Sequence, residues 1–286
     1  MSPALHVVRA GALTTVQDEG RTGWAHLGVP RAGALDAPAG RLANRLVGNA
    51  PDAAVLETTL TGCAVRLSGA RSVAAVVGGA GCRVTVDGRP VAWGAPVRVP
   101  EGAVLEAGPA VHGLRSYLAF GGGLIPEPVL GSRSADLLSG LGPPVLRDGD
   151  VLPLGHGHGS PPVDAVPWPG PPAELVLPLY LGPRHAWFTE AALRTLTTAA
   201  YRVSAQSNRI GLRTEGPALE RARDGELPSE GMVLGAVQVP PDGRPVVFLN
   251  DHPTTGGYPV VGVVAASALA GAAQAVPGTR VRFVRA

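Results

Sequence analysis

Cys82-Arg83-Val84-Thr85-Val86-Asp87-Gly88 decides the fold class of this chain. Val84 and Val86 alternate with polar neighbours, the period of a half-buried strand, and lead into Asp87-Gly88, a dipeptide suited to a tight hairpin turn. Comparable short apolar runs lie nearby at residues 72–79, 96–99, 104–107 and 114–120, separated by Gly, Pro or the turn Glu101-Gly102. Further on, residues 236–239 and 246–249 flank Pro240-Pro241-Asp242-Gly243 as a second hairpin-like pair, and residues 280–284 read as a last strand. The chain holds 40 glycines and 29 prolines in 286 residues without a collagen period, which favours many short strands joined by tight turns. Its 45% apolar content suffices for a buried core.

Three helices interrupt the strands. Asp36 is placed to cap one in which Ala39, Leu42, Ala43, Leu46 and Val47 share a face, ended by Gly48-Asn49. Thr189 caps a second, with Phe188 and Leu193 spaced as a hydrophobic staple. Ser267 caps a third, which carries Leu269, Ala273 and Val276 and stops at Pro277-Gly278. These helices follow no regular βαβ rhythm, so a doubly wound parallel sheet is not expected. Residues 155–172 are dense in Pro and Gly and read as a linker between an N-terminal lobe, 1–154, and a C-terminal lobe, 173–286. His156 and His158 in this stretch have no third ligand nearby, so no metal site is assigned to them.

The net charge is only +2, with no run of like charges that would mark a nucleic-acid footprint. All 24 basic residues are arginine. Without lysine the chain cannot supply the amine of a P-loop, a Schiff base or a covalent biotin anchor. Cys63 and Cys82 lie in apolar, strand-like surroundings and read as buried reduced thiols. The N-terminus lacks a signal-peptide pattern, and the most apolar stretch, 260–276, is too short and too weak to span a bilayer. The expectation is a cytoplasmic protein. Neither GxSxG, HExxH nor a complete GxGxxG occurs.

Two polar, glycine-punctuated segments carry the candidate chemistry. The first contains Gln17, Asp18 and Arg21, then Gly28-Val29-Pro30 and, later, Leu56-Glu57-Thr58-Thr59. The second spans 204–258 and contains Asn208, Arg209, Glu230, Gln238, Asp251, Thr254, Thr255, Gly256, Gly257 and Tyr258. Arg209 or Arg21 is suited to clamp a carboxylate or phosphoryl group. Glu230 and Asp251 would act as general acid or base if burial raised their pKa values. Thr254 and Thr255, with the Gly256-Gly257 amides, could approach an oxyanion. Each cluster also has a purely structural reading: a turn network around Gln17, Asp18 and Arg21, a turn with an ion pair at 207–209, an arginine partner for Glu230, and a β-turn with a packing tyrosine at 254–258.

Taken in order, the motifs resemble a known family. Thr14-Thr15-Val16-Gln17-Asp18, Gly28-Val29-Pro30, residues 42–49 (LANRLVGN), Gly131-Ser132-Arg133-Ser134, Ser207-Asn208-Arg209-Ile210-Gly211, Pro228-Ser229-Glu230-Gly231, residues 238–243 (QVPPDG) and residues 254–259 (TTGGYP) all occur in the expected order. The pattern is similar to the KipA family, also called allophanate hydrolase subunit 2 or the biotin-dependent carboxyltransferase family. The resemblance covers residues 8–284 apart from the linker. It implies a mainly β, two-lobed cyclophilin-like β-barrel architecture. It also implies a role in a bacterial 5-oxoprolinase, which consumes ATP to open 5-oxoproline to glutamate, beside KipI-like and LamB/YcsF-like partner subunits. The site positions it matches are Gln17, Asp18 and Arg21, and Asn208, Arg209, Glu230, Thr254, Thr255 and Tyr258. One departure is Val260, where relatives often carry a basic residue.

Two other roles fit the same resemblance. One is the carboxyltransferase part of a biotin-dependent urea carboxylase, with biotin arriving on another protein. That reading is less favoured because such modules are usually fused to long flanking domains, whereas this chain begins and ends with the module. The other is a non-enzymatic regulator that binds a KipI-like kinase inhibitor.

Overall fold

The computed structural model describes residues 2–157, 166–171, 173–225 and 227–286. The chain forms two compact units. The first takes residues 2–21, 32–136, 140–157 and 166–171; the second takes 22–31, 137–139, 173–225 and 227–286. The expected contiguous lobes differ from these units at 22–31 and 137–139, and the described linker residues 155–157 and 166–171 fall in the first unit.

The first unit contains β1 (Ala4–Arg9), β2 (Leu13–Gln17), helix α1 (Ala37–Leu46), β3 (Val55–Thr59), β4 (Cys63–Ser68), β5 (Ser72–Val86), β6 (Arg89–Val91), β7 (Val97–Pro100), β8 (Val104–Phe120) and β9 (Val151–Pro153). They make a nine-stranded antiparallel sheet ordered β2-β3-β8-β4-β1-β9, with β5 joining β8, β6 and β7. The runs expected as separate strands at 72–79 and 82–87 fuse into β5, and those at 104–107 and 114–120 fuse into β8. Glycine is the reason. The register shifts between Gly79 and Gly81 and again to Cys82, so the pair bends through bulges instead of ending. A Cβ on Gly79 would lie 2.6 Å from the Arg115 carbonyl oxygen, so the partner strand passes there only because the side chain is missing. Asp87 and Gly88 both have positive φ, 49° and 75°, and close the β5–β6 hairpin as expected.

Alternation along these strands builds two cores. Leu118 and Phe120 join Ala75, Val77, Leu56, Leu105 and others on one face. Tyr117 and Ala119 join Val76 and Val55 on the other, where Ala39, Ala43 and Leu46 of α1 pack. The Asp36 side chain accepts the Ala39 N–H at 3.1 Å, as a helix cap should. Part of the expected linker is anchored here. Val166 and Trp168 pack on the α1 core, and Trp168 donates to the Gly94 carbonyl at 2.8 Å. Its ring lies where a Cβ on Gly78 would be, 2.0 Å away. His158 and the rest of 158–165 lie outside the described residues.

The second unit contains β10 (Glu174–Leu181), α2 (Glu190–Thr198), β11 (Tyr201–Val203), β12 (Gly211–Glu215), β13 (Glu230–Gly231), β14 (Ala236–Gln238), β15 (Val246–Phe248), β16 (Thr255–Gly256), β17 (Val260–Val264), α3 (Leu269–Gln274) and β18 (Arg280–Arg285). Seven strands close a barrel, β10-β17-β14-β15-β12-β11-β18, sealed by the parallel pairing of β18 with β10. Closure removes the free edges that an open sheet would leave. Leu177, Tyr201, Leu212, Val237, Val247, Val264 and Phe283 are all buried, and their register places them on the inner face. Thr189 caps α2 through the Ala192 N–H at 3.0 Å. Ser267 does not cap α3: it lies in a 3-10 turn, 266–268, and α3 starts at Leu269 without a side-chain cap. Among the described residues no helix is long and apolar enough to cross a membrane.

Both cysteines are unbridged; Cys63 is buried and Cys82 half-buried. Burial pushes the Cys63 thiol from 9.0 to about 12 and the Tyr201 hydroxyl from 10.0 to about 12. A raised folded-state pKa leaves stability intact below the unfolded value and erodes it as pH rises toward the folded value. Unfolding midpoints measured against pH should therefore hold to about pH 9 on this account and decline from there to about pH 12. Cys63→Ala should reduce the part of the decline that starts near pH 9, to which the raised thiol of Cys82 also contributes, and leave the later part, which belongs to Tyr201 and Tyr117.

Candidate functional site

The sequence-predicted residues fall into three groups. Gln17, Asp18 and Arg21 belong to the first unit and bind the segment 129–135. Asp18 Oδ1 accepts from Gly20 N at 2.8 Å, Ser132 Oγ at 2.6 Å and Ser134 Oγ, while Oδ2 accepts from Arg133 N at 2.6 Å. Three donors crowd Oδ1 and one reaches Oδ2, so the carboxylate is engaged mainly by the 132–134 loop. Arg21 is 2% exposed and donates to the Ser134 and Val129 carbonyls. Gln17 Nε2 bonds Thr15 Oγ1 and the Ala135 carbonyl, both at 3.0 Å. Its Oε1 is buried with no partner among the described residues, a cost that a structural glutamine normally avoids. This geometry matches the turn-network reading of the segment.

Arg209 and Asp251 form the second group. They meet in a bidentate pair, Nε to Oδ2 and Nη2 to Oδ1, both at 2.9 Å, and both side chains are 0% exposed. Asp251 Oδ2 also accepts the Leu137 N–H at 3.2 Å, and Asp251 N donates to the Arg209 carbonyl at 3.1 Å. The pair ties the 208–211 and 249–252 loops together beneath the surface. The clamp and acid–base roles expected of it need access that this burial withholds.

The third group gathers on the outer face of the barrel. In β12, Leu212 and Thr214 turn inward, so Gly211 and Arg213 turn outward, opposite Phe248 and Val246 of β15. Gln238 of β14 pairs with Val246 on the same face. These residues line a cleft of about 220 Å³ with Asn208, Ile210 and Tyr258. Its floor continues into an apolar cluster of Met232, Ala236, Val246, Phe248 and Val260. A two-stranded ribbon, β13 with β16, comes down on this face: a Cβ on Gly256 would sit 3.0 Å from Gln238 Nε2 and 3.3 Å from Met232 Cε. The ribbon carries Glu230, Thr255 and Gly256, and it runs on to Gly257 and Tyr258.

Polar roles in the cleft follow from what is already spent. Asn208 Oδ1 accepts from Ile210 N at 2.9 Å and Gly211 N at 3.2 Å, leaving its amide hydrogens as donors. Gln238 Nε2 donates to the Tyr258 carbonyl at 3.3 Å, leaving Oε1 as an acceptor. Arg213 is exposed and makes no ion pair among the described residues. Glu230 is partly exposed and receives Arg184 through Nε at 3.0 and 3.1 Å, and through Nη2. That hydrogen bond holds the Glu230 carboxyl below its ordinary value, opposite in direction to the expected rise from burial.

Arg213, Arg184, Val246 and Phe248 were not among the expected site residues. Arg213 was within reach of the sequence: in 211–215 the apolar Leu212 sets the inward parity, which sends Arg213 outward beside the quoted Asn208 motif. No sequence signal could have shown that Arg209 pairs with Asp251 or that Arg184 reaches Glu230.

Fold and cleft together define a mainly β protein whose closed barrel carries a polar cleft on its outer wall. The family model for "Carboxyltransferase domain, subdomain A and B" matches residues 27–285, and the chain belongs to that family. The resemblance carried by the ordered motifs is thereby confirmed. The chain is 39% identical over 292 residues to a subunit of 5-oxoprolinase from Escherichia coli (strain K12), covering 98% of this chain and 91% of that protein. It is 33% identical to the urea amidolyase of Lachancea kluyveri, covering 98% of this chain but 17% of that protein. Among solved structures, the protein designated TTHA0988 superposes with a TM-score of 0.89 at 38% identity, over 99% of this chain and 56% of that one. The Kluyveromyces lactis urea carboxylase gives a TM-score of 0.89 at 30% identity, over 28% of its own chain. The chain thus spans just over half of one solved relative and a small part of the urea-processing proteins.

Proposed function

We propose that the chain is one component of an ATP-consuming 5-oxoprolinase complex and that the outer-face cleft of its barrel binds 5-oxoproline. The observation that carries this reading is the arginine, Arg213, set beside uncharged amide groups on an apolar floor. 5-Oxoproline offers a match for each: a carboxylate for the guanidinium, a lactam N–H for Gln238 Oε1, a lactam carbonyl for the Asn208 amide, and ring methylenes for Val246 and Phe248. Urea has neither the carboxylate nor the methylenes. The 39% identity to a 5-oxoprolinase component supports the same reading.

A lactam carbonyl is a poor electrophile, and ATP would supply the driving force by phosphorylating its oxygen. With no lysine in the sequence, this chain lacks the P-loop amine, so ATP would be held with or by partner subunits. These partners are the KipI-like and LamB/YcsF-like subunits that the family resemblance implies. Within this chain, Glu230 is held ionised in its ion pair with Arg184, which weakens it as a base, and it serves as a fixed negative charge at the ribbon. The segment 254–257, which includes β16 at the edge of the cleft, would supply donors toward a developing oxyanion. Arg209 and Asp251 serve as positioning residues that hold the two cleft loops.

The test is the reassembled complex, assayed for ATP-dependent glutamate release. Arg213→Gln is expected to raise KM for 5-oxoproline about tenfold or more, because one charge-assisted bond is worth about 1.5–3 kcal/mol. An unchanged KM would remove Arg213 from substrate binding. Turnover of urea with a biotinylated carrier, and none of 5-oxoproline, would establish the urea-carboxylase reading instead. Tight binding of a KipI-like protein with neither turnover would establish the regulator.

A further inference from the structure

The barrel has a second cavity, on the other side of its wall from the cleft. β10 turns Leu175, Leu177 and Leu179 inward, and the parallel register sets Leu177 beside Phe283 and Leu179 beside Arg285. In β18 the buried residues are Val281 and Phe283, so Arg285 stands on the same inward parity, where the strand reaches the barrel mouth. A cation at that position adds nothing to the packing of the core.

Helix α2 closes over this mouth. Ala192 and Leu196 are buried, while the neighbouring stripe of Glu190, Leu193, Arg194 and Thr197, spaced i, i+3, i+4 and i+7, lines the cavity. Leu179, Leu181 and Phe188 provide its apolar floor, and the volume is about 510 Å³, within the range of small-molecule sites. Glu190 and Arg194 pair at 3.6 Å, so they largely offset one another. His185 donates Nδ1–H to the Gly182 carbonyl at 2.8 Å. Arg285 makes no ion pair among the described residues and is the surplus charge of the cavity.

We propose that this barrel mouth binds a small amphipathic carboxylate, its aliphatic body on Leu179, Leu181, Phe188 and Leu193 and its anion on Arg285. The site is separate from the outer-face cleft and does not depend on the function assigned there. Calorimetric titration of the whole chain with octanoate and with 1-octanol tests it. Saturable octanoate binding is expected, weakened about tenfold or more by Arg285→Gln, with 1-octanol binding unchanged by that substitution. Arg213→Gln, in the outer cleft, should leave octanoate affinity as it was. The proposal is overturned if the wild-type chain shows no saturable octanoate binding, if Arg285→Gln leaves the affinity unchanged, or if Arg213→Gln is the variant that abolishes it.

Discussion

Asp251→Ala is expected to destabilise the protein by about 3–5 kcal/mol, the usual cost of leaving one member of a buried ion pair without the other. Arg209 would keep its charge at 0% exposure and lose both of its 2.9 Å bonds to the carboxylate. Urea midpoints of the variant and the wild type measure the effect, with an unchanged m-value indicating that both unfold from equally compact states. The double variant Arg209→Met with Asp251→Leu should be more stable than either single charge removal, because it takes away the desolvation penalty along with the attraction. This outcome separates two roles. A substrate clamp would lose activity while keeping its stability; a loop tie should lose stability first. Wild-type midpoints for Asp251→Ala would return the pair to the catalytic role that its residue types suggest.

Glu57→Ala is expected to cost a similar amount, about 3–5 kcal/mol, by a different route. Glu57 is 2% exposed, and its Oε2 accepts from Leu35 N and from the Tyr117 hydroxyl, each at 2.9 Å. Its Oε1 lies 3.7 Å from Arg115 Nε, whose side chain is 4% exposed. The Tyr117 oxygen in turn accepts the N–H of Asp36, the residue that caps α1. One carboxylate therefore holds the sheet, the helix start and a buried arginine together. Burial and the neighbouring carboxylates push the Tyr117 hydroxyl well above its usual range, which keeps it a donor to Glu57 at any working pH. Glu57→Gln keeps an acceptor while losing the charge and should cost less than alanine. Equal losses for the two variants would show that the charge opposite Arg115 is the whole of the effect. Chemical denaturation of both variants decides between these outcomes.

Much of the local structure was legible before any coordinates. Asp87-Gly88 predicted a hairpin because few dipeptides adopt two successive positive φ values cheaply, and both residues do so. Asp36 and Thr189 predicted helix starts because their short side chains reach orphan N–H groups. Ser267 failed as a cap because the chain first makes a 3-10 turn there and starts its helix two residues later. The breaks expected within β5 and β8 failed because glycine has two meanings: it ends a strand, or it lets a strand bend closely past its neighbour. Only the partner strand decides which. Trp168 likewise sits in a stretch whose prolines read as linker, yet its ring needs Gly78, ninety residues earlier in the chain, for its seat.

By itself the sequence determined the mainly β class, the family through its ordered motifs, and the absence of any lysine-based chemistry. Those properties reside in residue type, short-range spacing and composition. The tertiary structure decided which polar residues face the outer cleft and which are buried. Asn208 and Arg209 are adjacent in the chain, but one shapes the rim of an outer cleft and the other is buried against Asp251, 42 residues away. Strand parity and closure of the barrel set that difference. A side chain's access to solvent is fixed by partners distant in sequence, and a local pattern carries no record of them.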